Sequence, residues 1–310
     1  MNEFELIRVL TRGLPMSPAV NVGPGDDCAV IDLGIPDRQL LLKTDAVVEG
    51  IHFTQDTAPE QIGHKALARA LSDIAAMAGT PVAALITLAL PREFRPSFIE
   101  AIYAGMLSLA ARHGVSIIGG ETTTNPERLL ISVSLLGTVK RDAFITRRGS
   151  VSGDALFVTG ELGGSLDGHH LSFEPRLAEG RWLASHFRPH SMIDLSDGLA
   201  GDLRHLLRED GLGAILMASS IPIRRAATLR ARASDAAKPA LVAALTDGED
   251  FELLFTVPPA SAVPLLDAWK IEFPAVRLTC IGKIRTQPGI LLCDKTGSRE
   301  LQEHGYVHFA

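Results

Sequence analysis

Acidic residues recur in this chain at the edges of apolar segments, where a solvated surface charge is not expected. They occur in five segments that are far apart in the sequence: Gly25-Asp26-Asp27, Lys43-Thr44-Asp45, Ser72-Asp73, Gly119-Gly120-Glu121 and Asp194-Leu195-Ser196-Asp197. A pocket that gathers them must contain cations, because like charges a few ångströms apart repel strongly at low dielectric. Carboxylate oxygens prefer hard cations such as Mg²⁺, Mn²⁺ or Ca²⁺. The five segments therefore predict a site for divalent metal ions.

Each segment also has an ordinary explanation when it is taken alone. Acids after glycine are common in turns, and Asp194 and Asp197 could cap the helix that follows them. We place Asp45 at the end of an apolar strand, where ligand-binding groups often gather. Gly119 and Gly120 would let a ligand approach the backbone closely. Five ordinary explanations are rarely all correct at once, so we favour one shared pocket.

Asp73 allows a geometric test of this idea. We predict a helix over residues 58–78, and at ~100° per residue Asp73 lies about 20° from Ile62, within the apolar arc that also contains Ala66. A helix rarely buries a carboxylate there without a partner. Arg69, four residues earlier, could provide that partner in an ion pair. The other interpretation is that Asp73 binds a metal ion.

The elements that must position these acids alternate between strands and helices, which predicts an α/β or α+β fold in two halves. Apolar periodicity and turn residues predict helices over 1–12, 58–78, 96–113, 199–208 and 261–270. They predict strands over 28–33, 40–45, 83–90, 115–118, 129–139, 154–159, 251–257, 278–284 and 290–293. We expect strand 115–118 to be buried and strand 129–139 to bury one face. Because the pattern restarts near residue 141, we predict an N-terminal domain of residues 1–140 and a C-terminal domain of residues 141–310.

Composition excludes several classes of protein. The 310 residues carry 30 basic and 36 acidic side chains, for a net charge of −6. This charge gives no electrostatic case for binding nucleic acid or an anionic membrane. The apolar stretches are shorter than the ~20 residues that span a bilayer. Three cysteines without CxxC spacing and an acidic N-terminus favour the cytoplasm.

The usual glycine-rich nucleotide motifs are absent from the sequence. It contains no GxxxxGK[ST], GxGxxG, HRD or DFG pattern, and no GxSxG or HExxH. A chain without a glycine-rich phosphate loop can still bind a triphosphate if metal ions bridge carboxylates to phosphate oxygens. The acidic segments thus indicate metal-assisted phosphate chemistry.

At these acidic segments the chain resembles the thiamine-monophosphate kinase family, within the superfamily of aminoimidazole-ribonucleotide synthetase. The resemblance runs in order along the whole chain and rests on seven motifs: Gly25-Asp26-Asp27-Cys28-Ala29; Thr44-Asp45 with Val48-Glu49-Gly50-Ile51-His52-Phe53; Leu71-Ser72-Asp73-Ile74-Ala75-Ala76-Met77; Gly119-Gly120-Glu121-Thr122; Asp194-Leu195-Ser196-Asp197-Gly198-Leu199; Gly248-Glu249-Asp250-Phe251-Glu252-Leu253-Leu254-Phe255; and Gly305-Tyr306-Val307-His308-Phe309. It implies an N-terminal mixed-sheet domain that forms a homodimer, a C-terminal α/β domain, and an active-site cleft between them. The implied reaction transfers the γ-phosphoryl group of ATP to thiamine monophosphate with the help of several Mg²⁺ ions.

The same resemblance implies roles for particular residues. Those implied to bind metal are Asp27, Thr44, Asp45, Asp73, Glu121, Asp194 and Asp197. Those implied to contact ATP are Tyr103, Gly120, Glu121, Arg147 and Ser196. Those implied to lie near thiamine monophosphate are His52, Glu249 and one terminal aromatic residue, Tyr306. The implied transfer is metal-assisted, so no side chain is assigned as catalytic.

The chain departs from the family pattern at three places. Glu121 stands where the family usually has Asp, Val307 replaces Asp in the terminal motif, and Phe251 replaces Tyr. Two alternatives therefore remain open. The chain could be another ATP-using enzyme of the superfamily, or a non-catalytic relative that binds nucleotide and metal.

Overall fold

The computed structural model describes residues 3–208, 210–233 and 237–307. Its first part is built on a mixed six-stranded sheet. The strands are β1 Val20–Val22, β2 Ala29–Ile31, β3 Arg38–Val48, β4 Thr80–Leu90, β5 Ser116–Thr124 and β6 Leu130–Lys140. Their order in the sheet is β1-β2-β3-β6-β4-β5, and only β4 and β5 run parallel. The helices of this part are α1 Glu3–Thr11, α2 Pro59–Ala76 and α3 Pro96–His113.

One face of this sheet packs on helices, and the opposite face is open. Along β6 buried residues alternate with half-buried ones, which confirms the expectation of one buried face. Helix α2 packs against β3 and β6 on one side and against α3 on the other. Helix α3 begins after Arg95 with Pro96 and ends at the left-handed cap Gly114, as its sequence predicts.

The second part is built on a mixed seven-stranded sheet. Its strands are β7 Ala155–Thr159, β8 Ser191–Asp194, β9 Gly213–Met217, β10 Leu253–Val257, β11 Leu278–Arg285, β12 Gly289–Asp294 and β13 Gly297–Glu300. Their order is β13-β12-β9-β11-β7-β10-β8. The helices are α4 Leu177–His186, α5 Leu199–Arg208, α6 Arg225–Ala233, α7 Ala240–Thr246 and α8 Ala262–Glu272. The predicted mixed α/β class is therefore correct.

The two parts share apolar packing through α2. This helix contacts α4 and β8 of the second part as well as the first sheet, and one buried apolar cluster includes residues from both sheets. Strand β6 ends at Lys140 and β7 begins at Ala155. The boundary between residues 140 and 141 stays a prediction. None of the described helices is long and apolar enough to cross a membrane.

Two local predictions about strands were wrong. Strand β3 does not end at Asp45 but continues to Val48, because it pairs with β6 along its whole length, from Arg38 opposite Lys140 to Val48 opposite Leu130. The predicted buried strand over 115–118 is instead β5, an exposed edge strand that runs through Glu121 to Thr124. Both errors arose because the length and the burial of a strand depend on the strands that pair with it, and an apolar run alone does not show them.

Candidate metal and substrate centre

Three predicted metal ligands from distant segments meet in the structure. Oxygens of Asp27, Asp73 and Asp194 lie within 4.8 Å of one another, and all three side chains are buried. Asp27 precedes β2, Asp73 lies near the end of α2, and Asp194 is the last residue of β8. Oδ2 of Asp27 is buried and has no hydrogen-bond partner among the residues that the structure describes. A buried carboxylate oxygen with no partner is costly, so this set of donors fits a hard divalent cation.

Burial and mutual repulsion disfavour the charged form of this cluster. Burial, and next the charge of Asp27, raises the pKa of Asp194 to about 6. Burial also raises the pKa of Asp73 well above its usual value, although Lys43 acts in the opposite direction. The neighbouring Asp26 has a pKa of about 7, raised first by burial and then by Asp27. A bound divalent cation would reverse these effects by favouring the ionised carboxylates.

Basic residues already balance part of the negative charge. Lys43 on β3 donates to Asp73 at 2.6 Å. Arg147 donates to Asp27 through Nε at 2.9 Å and also through a second guanidinium nitrogen. The ion pair between Arg69 and Asp73 that the sequence offered as an alternative is replaced by the pair with Lys43. Lys43 was not predicted as a site residue, although strand alternation places it on the same face as Asp45, two residues later.

Asp45 lies beside the cluster and is held by Arg69. Nε of Arg69 lies 3.0 Å from a carboxylate oxygen of Asp45. Burial opposes ionisation of Asp45, but the charges of Arg69 and Lys43 outweigh it and lower the pKa of this carboxyl. Asp45 is therefore ionised, and it lies on the face of β3 that packs against α2.

Thr44 and Glu121 lie on the open face of the same sheet. Thr44 is exposed and contacts the hydroxyl groups of Ser132 and Ser134 on β6. Glu121 is exposed on β5, and its carboxylate accepts the backbone N–H of Thr122 at 3.1 Å. Within this chain the fold does not bring these two side chains to the three buried acids.

Gly120 has a structural role that the sequence did not indicate. Its φ is 154°, and a Cβ at this position would lie 1.8 Å from the carbonyl oxygen of Ile86 on β4. The neighbouring strand therefore requires a glycine here, whether or not a ligand also approaches.

Two residues expected near thiamine monophosphate meet at a buried lysine. Nζ of Lys65, on α2, donates to Glu249 at 2.7 Å and to the backbone carbonyl of His52 at 2.6 Å. Arg69 reaches Glu249 as well, at 3.3 Å. Lys65 and Arg69 were not predicted as site residues. The available signal was the spacing of Lys65, Arg69 and Asp73, which follow one another at four-residue intervals along one side of a helix.

Backbone hydrogen bonds connect the loop of Glu249 to the loop that follows Asp194 of the acidic cluster. The N–H of Glu249 donates to the carbonyl of Ser196 at 2.7 Å, and the N–H of Phe251 donates to Leu195 at 2.8 Å. Glu249 and Phe251 have positive φ values of 53° and 50°. Such values are costly for residues other than glycine and occur often at functional sites.

Asp197 follows the acidic cluster at the start of α5. Its N–H donates to the carboxylate of Asp202 at 3.1 Å. Asp202 is buried, and burial followed by the charge of Asp197 raises its pKa. Apolar spacing predicted residue 202 only as part of a helix, so this neighbouring acid was missed.

The predicted aromatic contacts lie on separate elements. The ring of Tyr103 packs partly buried against the apolar core from α3. Tyr306 is 49% exposed and lines a cavity of about 250 Å³ together with Asp197, Arg204 and His205. Its N–H donates to the carbonyl of Asp197 at 2.9 Å. His308 and Phe309 of the terminal motif lie outside the described residues.

The chain is similar to known proteins along its whole length. The family model described as AIR synthase related protein, N-terminal domain, matches residues 25–139. A thiamine-monophosphate kinase of Rhodopirellula baltica is 38% identical over 97% of this chain and 95% of its own length. One of Bacillus subtilis is 33% identical over the full length of both chains. A solved structure described as AaThiL complexed with AMPPCP and TMP is 28% identical, covers 99% of this chain and 97% of its own, and has a TM-score of 0.83.

Proposed function

The chain belongs to the thiamine-monophosphate kinase family, and we propose that it transfers the γ-phosphoryl group of ATP to thiamine monophosphate, which yields thiamine diphosphate and ADP. The complex of the similar structure with AMPPCP and TMP supports this choice of substrates. The enzyme is thus a phosphotransferase whose acceptor is a phosphate group. The cytoplasm remains our proposed location, because the three cysteines have no CxxC spacing and are odd in number.

One observation carries the assignment of the reaction to this site. Acids from both halves of the chain, Asp27, Asp73 and Asp194, meet within 4.8 Å, and one of their buried oxygens has no hydrogen-bond partner in the described part of the chain. We propose that these three acids and Asp45 hold Mg²⁺, with Asp197 beside them. Bound Mg²⁺ would reduce the repulsion between the two phosphate groups that must approach each other.

The chain's own residues then position charge rather than act as nucleophiles. The acceptor phosphate is largely ionised at neutral pH, so transfer needs no strong general base. Lys43 and Arg147 supply fixed positive charge beside Asp73 and Asp27. We propose that Arg147, Ser196, Tyr103 and Gly120 contact ATP and that His52, Glu249 and Tyr306 lie near thiamine monophosphate.

A product assay tests the proposed function directly. Purified protein with ATP, MgCl₂ and thiamine monophosphate should form thiamine diphosphate and ADP in equal amounts, without net release of inorganic phosphate. Aminoimidazole precursor in place of thiamine monophosphate is the control for another enzyme of the superfamily and should give no product. Nucleotide binding without any thiamine diphosphate would instead identify a non-catalytic relative.

We also propose that the enzyme is a homodimer formed through the open face of the first sheet. This face combines apolar and hydroxyl side chains, and two of its leucines, Leu42 and Leu85, are each 46% exposed. The register places Thr44 on β3, Ser134 on β6 and Leu85 on β4 in one row across this face. Thr44 and Glu121 would then lie at the subunit interface.

A further inference from the structure

Lys65 is an unusual residue for the middle of a buried helix face. Its side chain is fully buried, with 0% exposure. Its neighbours on α2 include the buried Ile62 and Ala66. An ammonium group buried among apolar residues is costly unless it is paired and hydrogen-bonded. The groups that the ammonium contacts therefore explain why a lysine can be buried here.

Those groups come from both halves of the chain. The carbonyl of His52 follows β3 of the first sheet, and the carboxylate of Glu249 precedes β10 of the second. The one ammonium group of Lys65 donates to both positions. Lys65 thus joins the two segments that the proposed function places near the acceptor.

The conformation of Glu249 depends on such support. Its φ of 53° lies in the left-handed region, which a residue with a side chain adopts only when its surroundings hold it. Lys65 and Arg69 bind its two carboxylate oxygens, at 2.7 Å and 3.3 Å. Burial lowers the pKa of Lys65 to about 8, although Glu249 raises it, so the ammonium is charged at neutral pH.

We propose that Lys65 is a positioning residue for thiamine monophosphate: its ammonium fixes the Glu249 carboxylate and the His52 backbone so that both face the acceptor. The inference rests on the proposed function and adds a residue that no sequence motif assigned to the site. The ammonium is enclosed, so it acts through its two partners and not by direct contact with the acceptor.

The test is the variant Lys65→Met, which keeps an unbranched apolar stem and removes the charge. The KM for thiamine monophosphate should rise between about 10-fold and 100-fold, the range for losing hydrogen bonds to a charged group. The KM for ATP should change by less than about twofold, since the acidic cluster is untouched. Lys65→Gln keeps a hydrogen-bond donor and should show a smaller increase, and it serves in place of Lys65→Met if that variant does not fold.

The exposed Lys140, at the end of β6, provides the matched control. Lys140→Met should leave both KM values unchanged. A double variant with Glu249→Gln should show less than the product of the two single effects, because both act through one contact. If Lys65→Met and Lys65→Gln retain the wild-type KM for thiamine monophosphate, or raise both KM values equally, the positioning role is wrong while the kinase function stands. If the wild-type protein makes no thiamine diphosphate, the proposed function fails and this inference fails with it.

Discussion

At the scale of single residues, the buried carboxylates create a conflict between stability and function. The negative charge that metal binding needs lowers the stability of the metal-free protein. Asp194 has a pKa of about 6 in the folded chain, against an ordinary value of 3.8. Between these two pH values the folded state holds a proton that the unfolded state has released. The free energy of unfolding of the metal-free protein therefore falls as the pH rises from about 4 to 6, and the loss is complete above that range. Its size is on the order of 3 kcal/mol.

The variant Asp194→Asn tests this conflict. Without metal at pH 7.5 it should unfold at a higher temperature than the wild-type protein, because it buries no charge, while Ser72 can still donate to the amide oxygen. Activity should be lost, because the amide is a poor ligand for Mg²⁺.

Thermal unfolding at pH 5 and pH 7.5, with and without MgCl₂, measures these effects. Mg²⁺ should raise the unfolding temperature of the wild-type protein strongly at pH 7.5 and weakly at pH 5. It should hardly change the unfolding temperature of the variant. The exposed Asp267, on α8, gives the control variant Asp267→Asn, which should behave as the wild type does. A lower unfolding temperature for metal-free Asp194→Asn at pH 7.5 would contradict the account.

At the scale of secondary-structure elements, helix α2 connects the two ends of the site. Lys65 faces the acceptor segments, Arg69 joins Glu249 to Asp45, and Asp73 belongs to the acidic cluster. Eight residues of α-helix span about 12 Å. The helix thus fixes the distance between the proposed acceptor end and the metal end, so its own position matters for function.

Close packing of glycines fixes the position of α2 against α3. A Cβ on Gly63 would lie 1.8 Å from the carbonyl oxygen of Ile102, and one on Gly105 would lie 2.0 Å from that of Glu60. Both obstacles are backbone atoms, which cannot turn aside as a flexible side chain can. The two helices therefore touch through their backbones.

The variant Gly63→Ala should destabilise the protein for this reason. In an open helix the change would stabilise by up to about 1 kcal/mol through helix propensity. Here we expect a net loss of about 1–3 kcal/mol, as is usual for overpacking. Urea unfolding measures the difference, and Gln61→Ala at an exposed position of α2 is the control. Equal or greater stability of Gly63→Ala would show that the helices separate easily.

At the scale of the whole molecule, the site requires both halves of the chain and, by our proposal, a second copy of it. Buried polar groups of helix α2 form hydrogen bonds with β3 on one side of the helix and with the 194–197 and 249–251 loops on the other. Thr44 and Glu121 lie on the open face of the first sheet and not beside the buried acids. A partner subunit on that face would cover both residues.

The variant Leu85→Asp tests the dimer. Light scattering after size-exclusion chromatography should give twice the chain mass of 33.1 kDa for the wild-type protein and the chain mass for the variant. A carboxylate in the centre of a packed sheet face would remain buried without a partner. Val263→Asp, at a 67% exposed position of α8, is the control and should remain dimeric. A monomeric wild-type protein across the micromolar range would refute the proposal.

The order and spacing of the residues along the chain were enough to indicate which chemistry the chain could perform. Acids beside apolar runs indicated a buried charged cluster, and the angular position of Asp73 on its helix placed it correctly inside the core. Apolar periodicity gave the bounds of α3 and α5, because proline, glycine and leucine spacing act over a few residues. The resemblance to the kinase family indicated the reaction, because the motifs that carry this resemblance run along the whole chain.

Which of these acids meet, and which groups balance their charge, depended on how the chain folds. Contact between Asp27, Asp73 and Asp194 depends on how two sheets pack on one helix, which no local pattern encodes. Alternation along β3 puts Thr44 and Asp45 on opposite faces, and the packing of α2 on β3 decided that the face of Asp45 is the covered one. Lys43 and Lys65 were found as site residues only in the fold, because a buried lysine is identified by its partners, and Asp73 and Glu249 lie far away from them in the sequence.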